Sequence, residues 1–367
     1  MSAADSATGP RTIKCLVWDL DNTLWPGVAA EGPINEIPLP DRRMLDIIAL
    51  LEKRGIVSSV ASRNDPSLLD ALRAQPLLEH RFVYPQVSWE PKSTSIRKIA
   101  NRLNIGLDAM AFVDDSPFER AEVGYMLPEV LALSPEELEE ALDSPAFNPT
   151  SPTQESEQRA AMYHQEEERK HAEESFGGKR VDFLRWCEMR LTISRAVHAD
   201  MPRVVELTER THQLNSTGRT YSREEIAALL VDARWLLPVA RLTDRFGDYG
   251  MIGAALVDTC PPAVRDAWLV ELIMLSCRVE GRGIPAALLR WIMGEAQRSG
   301  AMCLQAVYRI YERNLPIRLL FKQTGFVKVS DDVLITVARD LSKPLPDYPE
   351  WLHIVQSEGK DEAARAV

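Results

Sequence analysis

Two carboxylates, Asp19 and Asp21, close an apolar β-type run within residues 15–25, C-L-V-W-D-L-D-N-T-L-W. Alternate residues of a strand face the same way, so a cation beside Asp19 can share the strand's carboxyl end while Asp21 turns toward the same cleft. This pairing suits phosphoryl transfer. One carboxylate attacks phosphorus, the other moves the proton to and from the leaving oxygen, and Mg²⁺ neutralises the crowded oxygens. Thr23 completes D-x-D-x-T and is a phosphate-binding candidate. A strand ending in a solvated Asp-rich turn would read the same way, so the motif needs company elsewhere.

That company comes in order along the chain. A phosphate beside Asp19 needs a neutral donor, a balancing cation and carboxylates that anchor the metal. Ser62, Lys92 and the Asp114–Asp115 pair supply these in turn, and Arg63 is a further phosphate-binding candidate. The expected Mg²⁺ ligand set is Asp19, Asp21, Asp114 and Asp115. Taken singly, Ser62, Lys92 and Asp114 read as helix caps or first-turn residues. Each falls at a strand end or a helix start, and their joint placement favours a site.

The elements that must position them alternate in type. Strands are expected over 13–18, 55–61, 82–84 and 110–113, and helices over 42–54, 65–74 and 92–103. Such alternation predicts a doubly wound parallel sheet with its ligand cleft outside the strands' carboxyl ends. Prolines and glycines in 25–40 suit a short flap. Residues 133–156 are rich in turn formers and read as an interdomain linker. Residues 157–176 form a dense charged helix expected to be exposed, with Glu166 and Lys170 at pairing distance. His164 and His171, seven apart, read as solvated surface.

A second set of chemistry follows. Strands are expected over 235–243, 250–257, 267–277 and 302–308, with the turn D-R-F-G-D-Y-G between the first two. Arg278-Val279-Glu280-Gly281-Arg282-Gly283 then precedes an amphipathic helix over 284–297. R-x-x-G-x-G between a strand and a helix lets backbone N–H groups approach a phosphate at the helix's positive end. Cys277 stands just before this loop, either as a small buried hydrophobe or as a thiolate favoured by Arg278 and the helix N-terminus.

Composition bounds the reading. The chain has 367 residues, 45% of them hydrophobic, so two packed domains are expected. A net charge of -11 disfavours a general nucleic-acid partner. Five scattered cysteines without C-x-x-C spacing suit a reducing compartment. The first ten residues lack an apolar leader and no run approaches the ~20 apolar residues of a membrane span, so a cytoplasmic protein with no membrane partner is expected.

The order Asp19, Asp21, Ser62, Lys92, Asp114, Asp115 resembles the haloacid dehalogenase superfamily, in a form without an inserted cap. The Arg278–Gly283 loop, with Asn314 and Phe321 in N-x-x-x-x-x-x-F-x-x-x-G-F, resembles the acyl-coenzyme A and pantetheine site of the Gcn5-related acetyltransferase fold. The combination, with W-E-P-K, F-V-D-D-S-P-F-E-R and L-S-C-R-V-E-G-R-G, resembles the FkbH-like family of glyceryl-acyl-carrier-protein synthases. Pro26 and His212 depart from that family's pattern.

The resemblance implies a haloacid-dehalogenase-like phosphoryl-transfer domain over 11–145, a linker and charged helix over 146–180, an acetyltransferase-like mixed α/β domain over 181–345, and a tail over 346–367. It implies that 1,3-bisphosphoglycerate becomes a glyceryl thioester on Cys277, which passes to the phosphopantetheine of an acyl carrier protein. Arg278, Gly281, Arg282, Gly283, Asn314 and Phe321 would bind pantetheine, and His212, Asn215, Phe246 and Asp248 would line the acyl site. The alternatives are a Mg²⁺-dependent small-molecule phosphatase with a non-catalytic carrier-binding domain, and a coenzyme-A-dependent acetyltransferase.

Overall fold

A computed structural model describes residues 11–31, 37–148, 153, 158–211, 214–262, 265–311 and 314–356. The chain divides into two units, Met1–Glu167 and Glu168–Val367.

The first unit is built on a five-stranded sheet. Its strands are β1 (Cys15–Trp18), β2 (Val57–Ser62), β3 (Gln86–Val87), β4 (Met110–Val113) and β5 (Leu131–Leu133), in the order β3-β2-β1-β4-β5. All pairings are parallel. A central strand of such a sheet is covered on both faces and must be apolar throughout, and all four β1 side chains are fully buried. Leu16 and Trp18 join one core layer, Cys15 and Val17 the other.

The helices that cover the sheet are α1 (Arg42–Lys53), α2 (Leu68–Ala74), α3 (Lys92–Leu103), α4 (Pro117–Met126) and α5 (Pro135–Ala141). Asp41 caps α1 and Ser116 caps α4, in each case by accepting a backbone N–H. From β1 the chain winds outward through β2 and β3, then crosses back to β4 on the other side of β1. The reversal falls between the carboxyl ends of β1 and β4, where open α/β sheets place their ligands.

Three expectations shift here. Helix α2 begins at Leu68 because Asp65 Oδ1 accepts from both Ser67 N and Ser67 Oγ, a local turn that competes with helix. In place of a strand over 82–84, Phe82 makes an isolated bridge to Ser58, and strand pairing resumes at Gln86 beyond Tyr84 (φ 50°) and Pro85. The stretch expected as a linker from residue 133 contains α5, closed by a Ser134–Glu137 capping box, and Phe147, fully buried in the core.

The charged helix is α6 (Arg159–Ser175), which runs across the division between the units. It is not exposed all round. Met162, Tyr163, Glu166 and Arg169 are buried, and Tyr163 meets the edge of the Tyr84 ring at 6.2 Å.

The second unit carries α7 (Arg180–Trp186), β6 (Met189–Arg195), α8 (Met201–Arg210), α9 (Arg223–Val231), β7 (Trp235–Leu236), β8 (Pro238–Asp244), β9 (Gly247–Asp258) and β10 (Ala267–Leu275). It continues with α10 (Ile284–Arg298), β11 (Cys303–Tyr308), α11 (Leu315–Gln323), β12 (Val327–Lys328), β13 (Ile335–Asp340) and β14 (Leu352–Gln356). The sheet order is β12-β13-β11-β10-β9-β8-β6-β14, with β7 on β9. It is mixed: β10–β11 and β14–β6 are parallel, the other pairs antiparallel. Residues of α8 and α9 join the core on one face of the sheet, residues of α10 and α11 the core on the other.

Candidate active site

In the first unit the register brings the expected acids together. Asp19 follows β1 and Asp114 follows β4, and Asp19 N donates to Val113 O at 2.9 Å across the reversal point. Carboxylate oxygens of Asp19, Asp114 and Asp115 all lie within 4.8 Å of one another. Lys92, at the first position of α3, reaches the same spot. Its Nζ is 2.7 Å from Asp19 Oδ1 and also bonds Asp114 Oδ2. Asp19, Lys92 and Asp114 are buried; Asp115 is exposed.

Burial sets the electrostatics. Desolvation pushes the Asp19 carboxyl up to about 7, with Lys92 pulling it back and Asp114 pushing it further. Asp114 is raised by burial as well, again opposed by Lys92. On Lys92, burial works against the charge, but Asp19 and Asp114 more than offset it and the ammonium is held above its usual range. Three carboxylates facing one ammonium leave excess negative charge, and an all-oxygen donor set suits a hard divalent cation such as Mg²⁺.

Asp21 takes a different position. It is not a member of the three-carboxylate group among the described residues. Its Oδ1 accepts from Trp25 Nε1 and Ala29 N, both at 2.9 Å, and its Oδ2 accepts from Asn64 Nδ2 at 2.9 Å. Asp21 is thus aimed by the flap on one side and the loop after β2 on the other.

The remaining candidates of this unit are distributed around the cluster. Ser62 ends β2 and is buried. Arg63 is half exposed and pairs with Glu119 at 3.1 Å, which places it at a rim with its charge already answered. Thr23 Oγ1 accepts from Asp115 N at 3.0 Å, so it ties the loops after β1 and β4 together. Arg120 Nη1 donates to the carbonyls of Asp114 and Asp115 and Ser116 N donates to Asp114 Oδ1, fixing the turn that carries both acids. Sequence reasoning passed over Asn64, Trp25 and Arg120. Trp25 and Arg120 sit inside motifs already singled out and Asn64 directly follows Ser62 and Arg63, and a carboxylate that needs aiming by buried donors is the signal that points to Trp25 and Asn64.

In the second unit Cys277, the glycine loop and Asn314 follow the carboxyl ends of the central strands β10 and β11. Parallel strands β10 and β11 pair only over Ala267–Val270 and Cys303–Ala306. Beyond that the split is bridged by Leu214–Ser216: Leu275 N donates to Leu214 O, Ser216 N to Ile273 O, Ile273 N to Ser216 Oγ, and Arg309 N to Ser216 O. An extended ligand entering the split would meet backbone groups at Ile273 and Leu275 that the chain already uses. Cys277 lies just past β10, on a 3-10 turn Cys277–Val279.

The glycine loop is closed over by the chain itself. Gly281 (φ 74°) and Gly283 (φ 83°) are left-handed. A Cβ would come within 2.6 Å of Arg180 Nη2 at Gly281 and within 2.8 Å of Pro349 Cγ at Gly283. Trp351 Nε1 donates to Arg282 O at 2.8 Å. The glycines therefore admit Arg180 and the 349–351 segment. Arg282 itself turns inward: its guanidinium lies over the Tyr249 ring, 4.8 Å from the centroid, and 3.9 Å from Asp244 Oδ2. Arg278 Nε donates to Ser276 Oγ.

Several other expected ligand contacts are interior staples. Asn215 is fully buried; its Oδ1 accepts from Thr217 N and Gly218 N, and its Nδ2 donates to Thr211 O. Asn314, also fully buried, donates to Arg309 O and accepts from Tyr311 N. Phe321 stacks on Tyr308 at 6.0 Å between centroids, inside the core. Phe246 packs against Trp186, and Asp248 is exposed with its Oδ1 accepting from Gly250 N. His212 lies outside the described residues. The thiols of Cys15 and Cys187 are both pushed up by burial, Cys187 to about 11, which keeps them protonated and structural.

No family model matches the chain, and no curated protein matches it. Solved structures similar to parts of it include the phosphatase-domain-containing N-terminal part of a Bacteroides fragilis protein complexed with Mg, 31% identical over 34% of this chain with a TM-score of 0.30. The match spans 36% of that protein, about a third of its length. Another is the ribosomal-protein-S18-alanine N-acetyltransferase of Escherichia coli, 20% identical over 42% of this chain and 96% of that one, TM-score 0.33. A third is a phosphinothricin acetyltransferase of Sinorhizobium meliloti in complex with acetyl-coenzyme A, 20% identical over 43% of this chain and 94% of that one, TM-score 0.34. The chain itself joins an all-parallel α/β unit carrying an acid–lysine cluster to a second α/β unit on a mixed sheet.

Proposed function

We propose that this protein is a bifunctional phosphoryl- and acyl-transfer enzyme that makes a glyceryl thioester from 1,3-bisphosphoglycerate and hands it to the pantetheine thiol of an acyl carrier protein. The observation that carries the first half is the meeting of buried Asp19, Lys92 and Asp114 with exposed Asp115 at the sheet's reversal point. The acyl half is supported by the placement of Cys277 after the strand that diverges from its parallel neighbour.

Mg²⁺ held by Asp19, Asp114 and Asp115 would neutralise charge on the phosphoryl oxygens. Asp19 attacks phosphorus, and the P–O bond to the leaving group breaks. Lys92 balances the nucleophile and the incoming phosphate. Asp21 gives its proton to the leaving oxygen, then takes one from the water that cleaves the aspartyl phosphate. In the second unit the Cys277 thiolate attacks the acyl carbon; a C–S bond forms and the C–O bond to phosphate breaks. The carrier thiol then attacks the thioester and releases the Cys277 thiolate.

Intact-protein mass spectrometry after incubation with 1,3-bisphosphoglycerate and Mg²⁺ tests this reading. A hydroxylamine-labile glyceryl adduct that disappears in Cys277→Ala is expected. An adduct that persists in Cys277→Ala removes that residue, and turnover of acetyl-coenzyme A without any adduct replaces the reading with an acetyltransferase.

A further inference from the structure

Helix α3 carries Lys92 at its first position but does not cap itself. Asp41, Ser116 and Ser134 close the N-termini of α1, α4 and α5, each by accepting a backbone N–H. Pro91, which precedes α3, has no side chain that can accept one. The acceptor comes from α4 instead. Glu122 Oε2 accepts from Ser93 N at 3.3 Å, and Glu122 Oε1 accepts from the Ser93 hydroxyl. The next two donors are also used, since Thr94 N and Ser95 N both donate to Pro91 O. The positive end of α3 is thus answered through Ser95 by the chain's own oxygens. What α3 offers the cleft is the Lys92 side chain, and its placement depends on how the first turn is held.

Helix α4 also fixes the acids that Lys92 meets. Ser116, its cap, donates its N–H to Asp114 Oδ1, and Arg120 Nη1 donates to the carbonyls of Asp114 and Asp115. Arg120 therefore holds the turn of the two acids, and Glu122, two residues on, holds the turn of the lysine. Lys92 Nζ lies 2.7 Å from Asp19 Oδ1 and also bonds Asp114 Oδ2, so it answers to two strands at once. A misplacement of about 1 Å at such a position can cost roughly a hundredfold in rate.

We propose that Glu122 is a positioning residue for Lys92 in phosphoryl transfer. Its carboxylate locks the first turn of α3 onto α4 through Ser93, and so fixes where the ammonium stands between Asp19, Asp114 and the phosphate. A carboxylate suits the task because Ser93 presents two donors, an N–H and an O–H, and two oxygens of one side chain take one each. Its negative charge also suits a helix N-terminus. Glu122 is not a member of the three-carboxylate group among the described residues, so its part is played through Ser93 and not on the metal. The inference rests on the phosphoryl-transfer reading of the first unit and is independent of the acyl half.

Steady-state hydrolysis of p-nitrophenyl phosphate by the full chain with Mg²⁺, and its inhibition by inorganic phosphate, test the assignment. In Glu122→Ala, kcat should fall about tenfold and the inhibition constant of phosphate should rise about tenfold, at a thermal melt close to the parent's. Glu122→Gln keeps an oxygen for the Ser93 hydroxyl and should recover most of both constants. Ser93→Ala/Glu122→Ala should be no worse than Glu122→Ala alone, because the two side chains act as one unit. If Glu122→Ala does not fold, Ser93→Ala, which removes a single hydroxyl, is judged by the same two constants and should move them in the same direction. Hydrolysis in the parent with both constants unchanged in the folded variants overturns this inference alone, as does a Glu122→Gln no better than Glu122→Ala. A parent without Mg²⁺-dependent hydrolysis overturns the phosphoryl-transfer reading and this inference with it.

Discussion

In the proposed reaction Asp21 carries the proton to the leaving oxygen, and its carboxylate is held by three donors from two different loops. In that reaction Trp25 and Asn64 would be positioning residues for it. Their loss should matter most where protonation of the leaving group limits the rate. Asn64→Ala and Trp25→Phe should slow hydrolysis of an alkyl phosphate by about tenfold or more while changing p-nitrophenyl phosphate hydrolysis far less. Equal losses on both substrates would assign these residues to folding alone. Asp19 makes a second claim at this scale. Its folded pKa, about 7, lies above the ordinary 3.8, so the folded state holds the proton more tightly than the unfolded chain. Stability from this group is complete below the lower value and is lost as pH rises through the upper one. Metal-free Asp19→Asn should escape that loss. Its stability advantage over the parent, in chelator, should grow by roughly 1 kcal/mol or more between pH 4 and pH 8; a constant difference across that range would contradict the burial argument.

At the scale of elements, legibility followed the length and locality of each signal. Strand β4 and helix α3 read to the residue, because an apolar run bounded by turn formers and a periodic face bounded by Pro91 and Asn104 carry their own limits. Strand β14 was not legible: its five residues pair with β6, some 160 positions away, and nothing local marks that partner. The meeting of Asp19, Lys92 and Asp114 was legible because each follows a strand or begins a helix. Asn215, Asn314 and Arg282 misled because a polar residue in a motif looks the same whether it faces a ligand or staples a loop from inside. The stretch after residue 133 misled through composition, since its prolines and serines are caps and turns of a packed region. Phe147 measures that difference. Phe147→Ala should cost about 3–5 kcal/mol of stability in the first unit if it fills the core, and close to nothing if it lies in a linker; chemical denaturation followed by Trp18 and Trp25 fluorescence reads the outcome.

At the scale of the whole molecule, the chain holds two sheets with separate cores and separate candidate chemistry. The two half-reactions should therefore be separable by substitution. Asp19→Asn should abolish phosphomonoester hydrolysis and leave acylation of Cys277 by an acyl phosphate intact, whereas Cys277→Ala should do the reverse; loss of both activities in either variant would mean one shared site. The central claim is that Asp19 is the nucleophile, and trapping its phosphoryl adduct tests that most directly. The protein is mixed with a phosphomonoester and Mg²⁺, quenched in acid, reduced with borohydride and mapped by peptide mass spectrometry. Conversion of Asp19 to homoserine, absent without Mg²⁺, is the expected result. Phosphate release at full rate with Asp19 unmodified, or undiminished in Asp19→Asn, would contradict it.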